Sequence, residues 1–135
     1  MLGASESTLI EMFTSHVRSN LELAVPFWAG ALTQSDKNSI ERVQKIALKI
    51  VQGNSYFDYI QSLDDLELET LDTRRDILCL KFTKKCLKNK RFKQWFPQNK
   101  KVNSRSFGKY IVPNWKTKRY LISSIPNLIN ILNQQ

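Results

Sequence analysis

The sequence predicts a mainly α-helical fold: a small bundle of about four to five helices with a basic, partly irregular C-terminal segment. Three observations predict it. Gly and Pro are scarce, four each in 135 residues, which disfavours a fold rich in tight turns. Apolar residues recur at steps of three and four along most of the chain. Helix-start and helix-stop residues bracket those stripes. The apolar fraction, 41%, suffices for a core, so the chain is expected to be one domain, or a small domain with a tail.

Residues 5–25 read as the first helix, with Leu9, Phe13, Val17, Leu21 and Ala24 on one stripe. Pro26 is expected to end or kink it, and Gly30 to loosen the stretch after it. A second helix spans about 34–51, with Thr33 or Ser35 as N-cap and Gly53 just past its end. Its apolar stripe is Ile40, Val43, Ala47 and Ile50, widened by Ile46, and Arg42, Lys45 and Lys49 occupy the outer side. Ser55 is the expected cap of a short helix over 56–63. Leu66 and Leu68 then lead to a long helix at about 69–89. Beyond Asn89 the expectation is a short turn around Phe92–Phe96, a loop, and a brief strand at Tyr110–Val112. A last helix spans 124–133, with Pro126 near its first turn and Ile125, Leu128, Ile129 and Leu132 as its apolar side. The domain boundary falls at 89: residues 1–89 form a helical domain and 90–135 a basic, aromatic-rich segment with a short terminal helix.

The long helix can be tested by arithmetic at 100° per residue. With Lys81 at zero, Lys84, Lys85 and Lys88 fall within the same sector of about 100°. Cys79, Leu80, Phe82, Cys86 and Leu87 fall on the opposite side. One face is cationic, the other apolar.

Charge is divided along the chain. Residues 1–72 hold 5 Lys/Arg against 11 Asp/Glu, a net of −6, and residues 73–135 hold 16 against 1, a net of +15. Solubility alone does not call for such separation, and a strongly cationic half points to a polyanion, nucleic acid above all. Eight of the fourteen aromatics lie in this half: Phe82, Phe92, Trp95, Phe96, Phe107, Tyr110, Trp115 and Tyr120. Cations interleaved with rings suit a strand held by its phosphates and stacked by its bases; the competing interpretation is that the rings are core. The candidates for phosphate contact are Lys81, Lys84, Lys85, Lys88, Arg91 and Lys93, with Trp95 and Trp115 for stacking on bases or sugars. Arg74 joins them because it falls in the lysine sector and has no acid three or four residues away. Arg75 is expected to pair locally with Asp72. The run Lys84–Lys93 also resembles a nuclear import signal.

Catalytic constellations are lacking. Asp64-Asp65 lies in an acidic loop without a partner acid, which argues against a metal pair. His16, the only histidine, is expected to be a partly buried helix residue and cannot complete a zinc set. No Gly-rich phosphate loop occurs. Cys79 and Cys86 stand seven residues apart, about 10.5 Å along a helix, too far to bridge. No apolar run approaches the ~18–20 residues of a membrane span, and no cationic signal-peptide start precedes Glu6. The expectation is an intracellular protein, nuclear or cytoplasmic and not secreted, without cofactor, metal or small-molecule substrate.

Several ordered segments resemble one family, the invertebrate jockey-like non-long-terminal-repeat retrotransposon reverse transcriptases. Residues 16–33, HVRSNLELAVPFWAGALT, are similar to its R-x-x-L-E-Y-A-x-P-x-W segment, with Leu23 in place of the Tyr. Residues 40–51, IERVQKIALKIV, resemble I-E-R-V-Q-x-x-A-x-x-I, and residues 71–87 resemble L-x-x-R-R-x-x-L-x-x-K-F. KYIVP at 109–113, TKRY at 117–120 and SSIPNLINILN at 123–133 are similar to the family's C-terminus. The order is the family's, and the match covers nearly the whole chain. It implies the C-terminal, thumb and post-palm region of an RNA-directed DNA polymerase, with residues 1–89 thumb-like. The partners it implies are RNA or DNA as a template–primer duplex and the remainder of the polymerase. The catalytic Y/F-x-D-D motif of the palm does not occur, so no catalysis is carried over. The alternative from another class is a helical protein–protein interaction module without nucleic-acid function.

Overall fold

The computed structural model describes residues 3–99, 109–114 and 116–134. The fold is mainly helical. A first helical stretch comprises α1 (Glu6–Met12), a π-helical segment (Phe13–Arg18) and α2 (Ser19–Leu21). Then come α3 (Val25–Trp28), a 3₁₀ turn (Ala29–Ala31), α4 (Gln34–Gln52), a 3₁₀ turn (Gly53–Ser55), α5 (Tyr59–Asp65), α6 (Leu71–Lys88), α7 (Lys90–Lys93), α8 (Lys118–Leu121) and α9 (Ser124–Asn133). Among the described residues the sole β-type pairing is an isolated bridge between Gln98 and Tyr110, so the brief strand expected at Tyr110–Val112 does not form.

The compact units do not divide at residue 89. One comprises Met1–Leu23 and Thr33–Arg74, the other Ala24–Leu32 and Arg75–Gln135. The chain leaves the first unit at Ala24, which adopts a left-handed conformation with φ 54°, at a cost of about 1 kcal/mol for a residue with a Cβ. The helix expected over 5–25 therefore stops at Leu21, ahead of Pro26. Pro26 instead lies in the first turn of α3, where its missing N–H costs nothing.

In the first unit, α4 begins in a reciprocal capping box. The Asp36 N–H donates to Thr33 Oγ1 at 3.2 Å and the Thr33 N–H donates to Asp36 Oδ2 at 3.0 Å. It ends at Gly53, φ 51°, a conformation that glycine tolerates. The hydrogen bonds from the Thr33 side chain, and then from its backbone, hold the Asp36 carboxyl below its usual range. A depressed carboxylate pKa contributes stability above the unfolded value, near pH 4, and loses it as pH falls through the native value. Thr33→Ala is accordingly expected to lower the melting temperature by a few degrees at neutral pH. The gap from the parent chain should narrow below about pH 4, as read by circular dichroism.

The buried side of α4 is not the one expected. Gln44 and Leu48 are fully buried, whereas Val43, Ile46 and Ile50 are 38%, 49% and 68% exposed. A polar network dictates this rotation. The Tyr59 hydroxyl donates to Glu41, whose Oε1 also accepts the Leu71 N–H at 3.2 Å. Gln44 Nε2 donates to the Glu69 carbonyl at 2.9 Å and to the Tyr59 oxygen at 3.2 Å. One carboxylate and one amide of α4 thus hold α5 and the start of α6, including an N-terminal N–H that no helix satisfies internally. Burial, and then the Glu41 contact, pushes the Tyr59 phenol well above its usual range, so it stays a donor. Leu48, Tyr59 and Leu63 form the apolar cluster beneath, with Ile10, Tyr56, Leu66 and Leu68 against it. Helix α5 starts later than expected, because Asp58 rather than Ser55 caps it, accepting the Ile60 N–H at 3.3 Å.

In the second unit, Val25, Cys79, Cys86, Phe96, Leu128 and Ile129 are the buried core. Phe27 meets Phe82 edge-on at 5.4 Å. The backbone at Gly30 approaches α9 so closely that a Cβ there would stand 2.7 Å from Asn127 Cβ and from the Ile122 carbonyl; this proximity requires glycine. The Asn133 amide pairs with both backbone groups of Tyr110, at 2.9 and 3.0 Å. Both cysteines are free and buried. Desolvation, aided by Asp76, pushes the Cys79 thiol up to about 11, and burial also raises Cys86. Since the thiolate is the reactive form, a disulfide-exchange reagent at pH 8 is expected to label Cys79 roughly 100-fold more slowly in the native chain than in the guanidinium-unfolded chain, as read by peptide mass spectrometry.

Candidate nucleic-acid interface

The charge division of the sequence becomes a division between units. The unit of Ala24–Leu32 and Arg75–Gln135 carries 15 Lys/Arg against a single acid, Asp76, a net of +14; the other carries 6 against 11, a net of −5. Within the cationic unit, Lys81, Lys84, Lys85 and Lys88 are all exposed on α6, as an amphipathic helix with Cys79, Thr83 and Cys86 buried opposite requires. Lysines at 81 and 85, 84 and 88, and 81 and 84 are neighbours one turn apart, and each such like-charge pair costs a few tenths of a kcal/mol. No ion pair among the described residues relieves them; the ion pairs that Arg18, Lys37 and Arg74 make all lie in the anionic unit.

The cationic surface continues past α6. Asn89 ends the helix in an extended conformation and its side chain accepts the Arg91 N–H at 3.0 Å, starting the single turn of α7. That turn carries Lys90, Arg91 and Lys93, all exposed. Trp95 comes next, 39% exposed, its ring 4.7 Å from that of Phe92. Most of the other rings are structural: Phe96 is buried, and Phe82, Phe92 and Tyr110 pack against the core. Tyr120 is 43% exposed, beside exposed Lys118 and Arg119 on α8. None of these three was a candidate contact from sequence, although the same alternation of cation and ring marks them. Trp115 and Phe107 lie outside the described residues.

Arg74 is paired within the anionic unit. It forms a two-pronged pair with Glu22, through Nε to Oε1 and through Nη2 to Oε2 at 2.9 Å, and stands 3.8 Å from Glu69. Arg18 lies on the same Glu22 carboxylate at 3.9 Å. The guanidinium is committed to an acid 52 residues away, invisible to a search of neighbouring helical positions. Lys45 and Lys49 of α4 are likewise engaged, lying over the Tyr59 and Tyr56 rings at 5.6 and 5.3 Å.

Elsewhere the acidic and nucleophilic groups are scattered. His16 is exposed, contrary to the partial burial expected of it, because the buried face of its segment is the one bearing Phe13. Asp64 and Asp65 are exposed at the end of α5. Among the described residues no three His, Cys, Asp or Glu side chains assemble as metal ligands, and no helix is long and apolar enough to cross a membrane. No protein-family model, curated protein or solved structure matches the chain.

Proposed function

We propose that this chain binds nucleic acid without sequence preference, as the non-catalytic thumb and post-palm region of a jockey-like retrotransposon reverse transcriptase acting inside the cell. The observation that carries the binding is the row Lys81, Lys84, Lys85 and Lys88, none of which forms an ion pair among the described residues, in a unit of net charge +14. A polyanion relieves the mutual repulsion of the ammonium groups and gains entropy from released counterions. Arg91 and Lys93 extend the phosphate contacts beyond the helix. Because lysine is a point charge without a bidentate fork, contacts of this kind position a backbone and do not read bases.

The family origin draws support from what the shared letters do. Arg18 and Glu22 belong to the first resembling segment, Glu41 and Gln44 to the second, Leu71 and Arg74 to the third. In the fold, Arg18 and Arg74 meet on Glu22, while Glu41 and Gln44 hold Tyr59, Leu71 and Glu69. The segments are mutually dependent parts of one scaffold, which suits a thumb whose work is grip and not chemistry. The test is a fluorescence-anisotropy titration with two labelled template–primer duplexes of unrelated sequence. Equal affinities that weaken together with salt are expected; binding to neither at low salt would refute the proposal.

One observation favours a second function, a helical protein–protein module: the outward stripe of Val43, Ile46 and Ile50. Its signature is a mass that rises with concentration in light scattering and returns to the monomer value in an Ile46→Asp, Ile50→Asp double variant.

A further inference from the structure

The proposed phosphate contacts leave Trp95 unexplained. A duplex presents phosphates and sugars outward and keeps its base faces stacked inside, so an exposed indole just after α7 gains little from it. Yet this indole is 39% exposed and is held in place rather than left loose. The Trp95 backbone N–H closes a turn onto the Phe92 carbonyl at 3.0 Å, and the Phe96 N–H closes the next onto Lys93 at 3.1 Å. Phe92 packs against the unit's core and sets its ring 4.7 Å from the indole, tilted by 50°. Phe96, the adjacent residue, is buried at 2% exposure. The ring is therefore supported on one side by anchored neighbours, with exposed Arg91 and Lys93 on the same turn. An exposed aromatic face with cations on the same turn is what an unpaired base stacks on while its flanking phosphates are neutralised.

We infer that Trp95 is a stacking platform for an unpaired nucleotide, so that the surface formed by α6, α7 and Trp95 selects nucleic acid with a single-stranded portion over blunt duplex. This rests on the phosphate contacts proposed above and adds a ligand class to them. Stacking contributes without regard to base identity, and so keeps the binding sequence-independent.

The test uses the full chain, a fluorescein-labelled oligothymidylate and a blunt duplex of the same length. Trp95→Ala is expected to weaken the single strand about tenfold, to change duplex affinity less than about twofold, and to leave the salt slope of both unchanged. Trp95→Phe, which keeps an aromatic face, should retain most of the single-strand affinity while losing most of the tryptophan quenching that the oligothymidylate causes in the parent chain. Equal losses on both ligands, or no loss on either while the parent chain binds both, overturn the stacking platform and leave the lysine contacts standing. Failure of the parent chain to bind either ligand overturns both.

Discussion

Replacing Lys81, Lys84, Lys85 and Lys88 together with Gln is expected to flatten the salt dependence of duplex binding by three to four units of log K per log salt concentration, at about 0.9 per phosphate neutralised. Affinity at low salt should fall on the order of 100-fold. The fold should survive, because all four side chains are exposed and none is committed to an ion pair among the described residues; removing like charges a turn apart relieves repulsion. Anisotropy titrations at several salt concentrations read the slope directly, and unfolding curves read the stability. An unchanged slope would move the binding surface off α6. The same substitution at Lys45 and Lys49, which sit over tyrosine rings in the anionic unit, should leave the slope alone.

The second large effect concerns α4 and separates two residues that look alike in sequence. Leu48→Ala is expected to cost about 3 kcal/mol, within the range for a large-to-small change at a buried site, and to lower the melting temperature by roughly 10 °C. Ile50→Ala should cost less than about 0.5 kcal/mol, since Leu48 is fully buried and Ile50 is 68% exposed. The opposite order would mean that the apolar stripe, and not the Glu41–Gln44 side, faces the core. Thermal unfolding of the two variants decides it.

The sequence revealed what depends on local chemistry. The limits of α4 stem from Thr33 and Gly53, and those of α9 from the stripe that begins after Ser123. The cationic face of α6 stems from helical periodicity alone, as does the burial of Cys79 and Cys86 on its opposite side. The features that stayed hidden depend on partners distant along the chain. Hydrophobic periodicity turned α4 the wrong way because it scores Gln44 as a surface residue, whereas Tyr59, 15 positions on, and Glu69, 25 positions on, accept hydrogen bonds from its Nε2 inside the protein. Arg74 looked available for phosphate because Glu22 is 52 positions away. In the compact units the short apolar stretch Ala24–Leu32 joins the chain's second half, a choice no local signal encodes. Within the candidate interface, the lysines were legible as a group. Which rings remained outside the core was not, since Phe92, Trp95 and Phe96 are similar in sequence and differ only in the turn that α7 makes.

Lysine footprinting by mass spectrometry, with and without a template–primer duplex, tests the placement of the interface most directly. Each exposed amine reports its own accessibility to an acylating reagent, independently of how tightly the complex forms. Protection of Lys81, Lys84, Lys85 and Lys88, with Lys45 and Lys49 labelled as in the free chain, is the predicted result. Protection confined to Lys45 and Lys49, or no protection anywhere at saturating duplex, would contradict it.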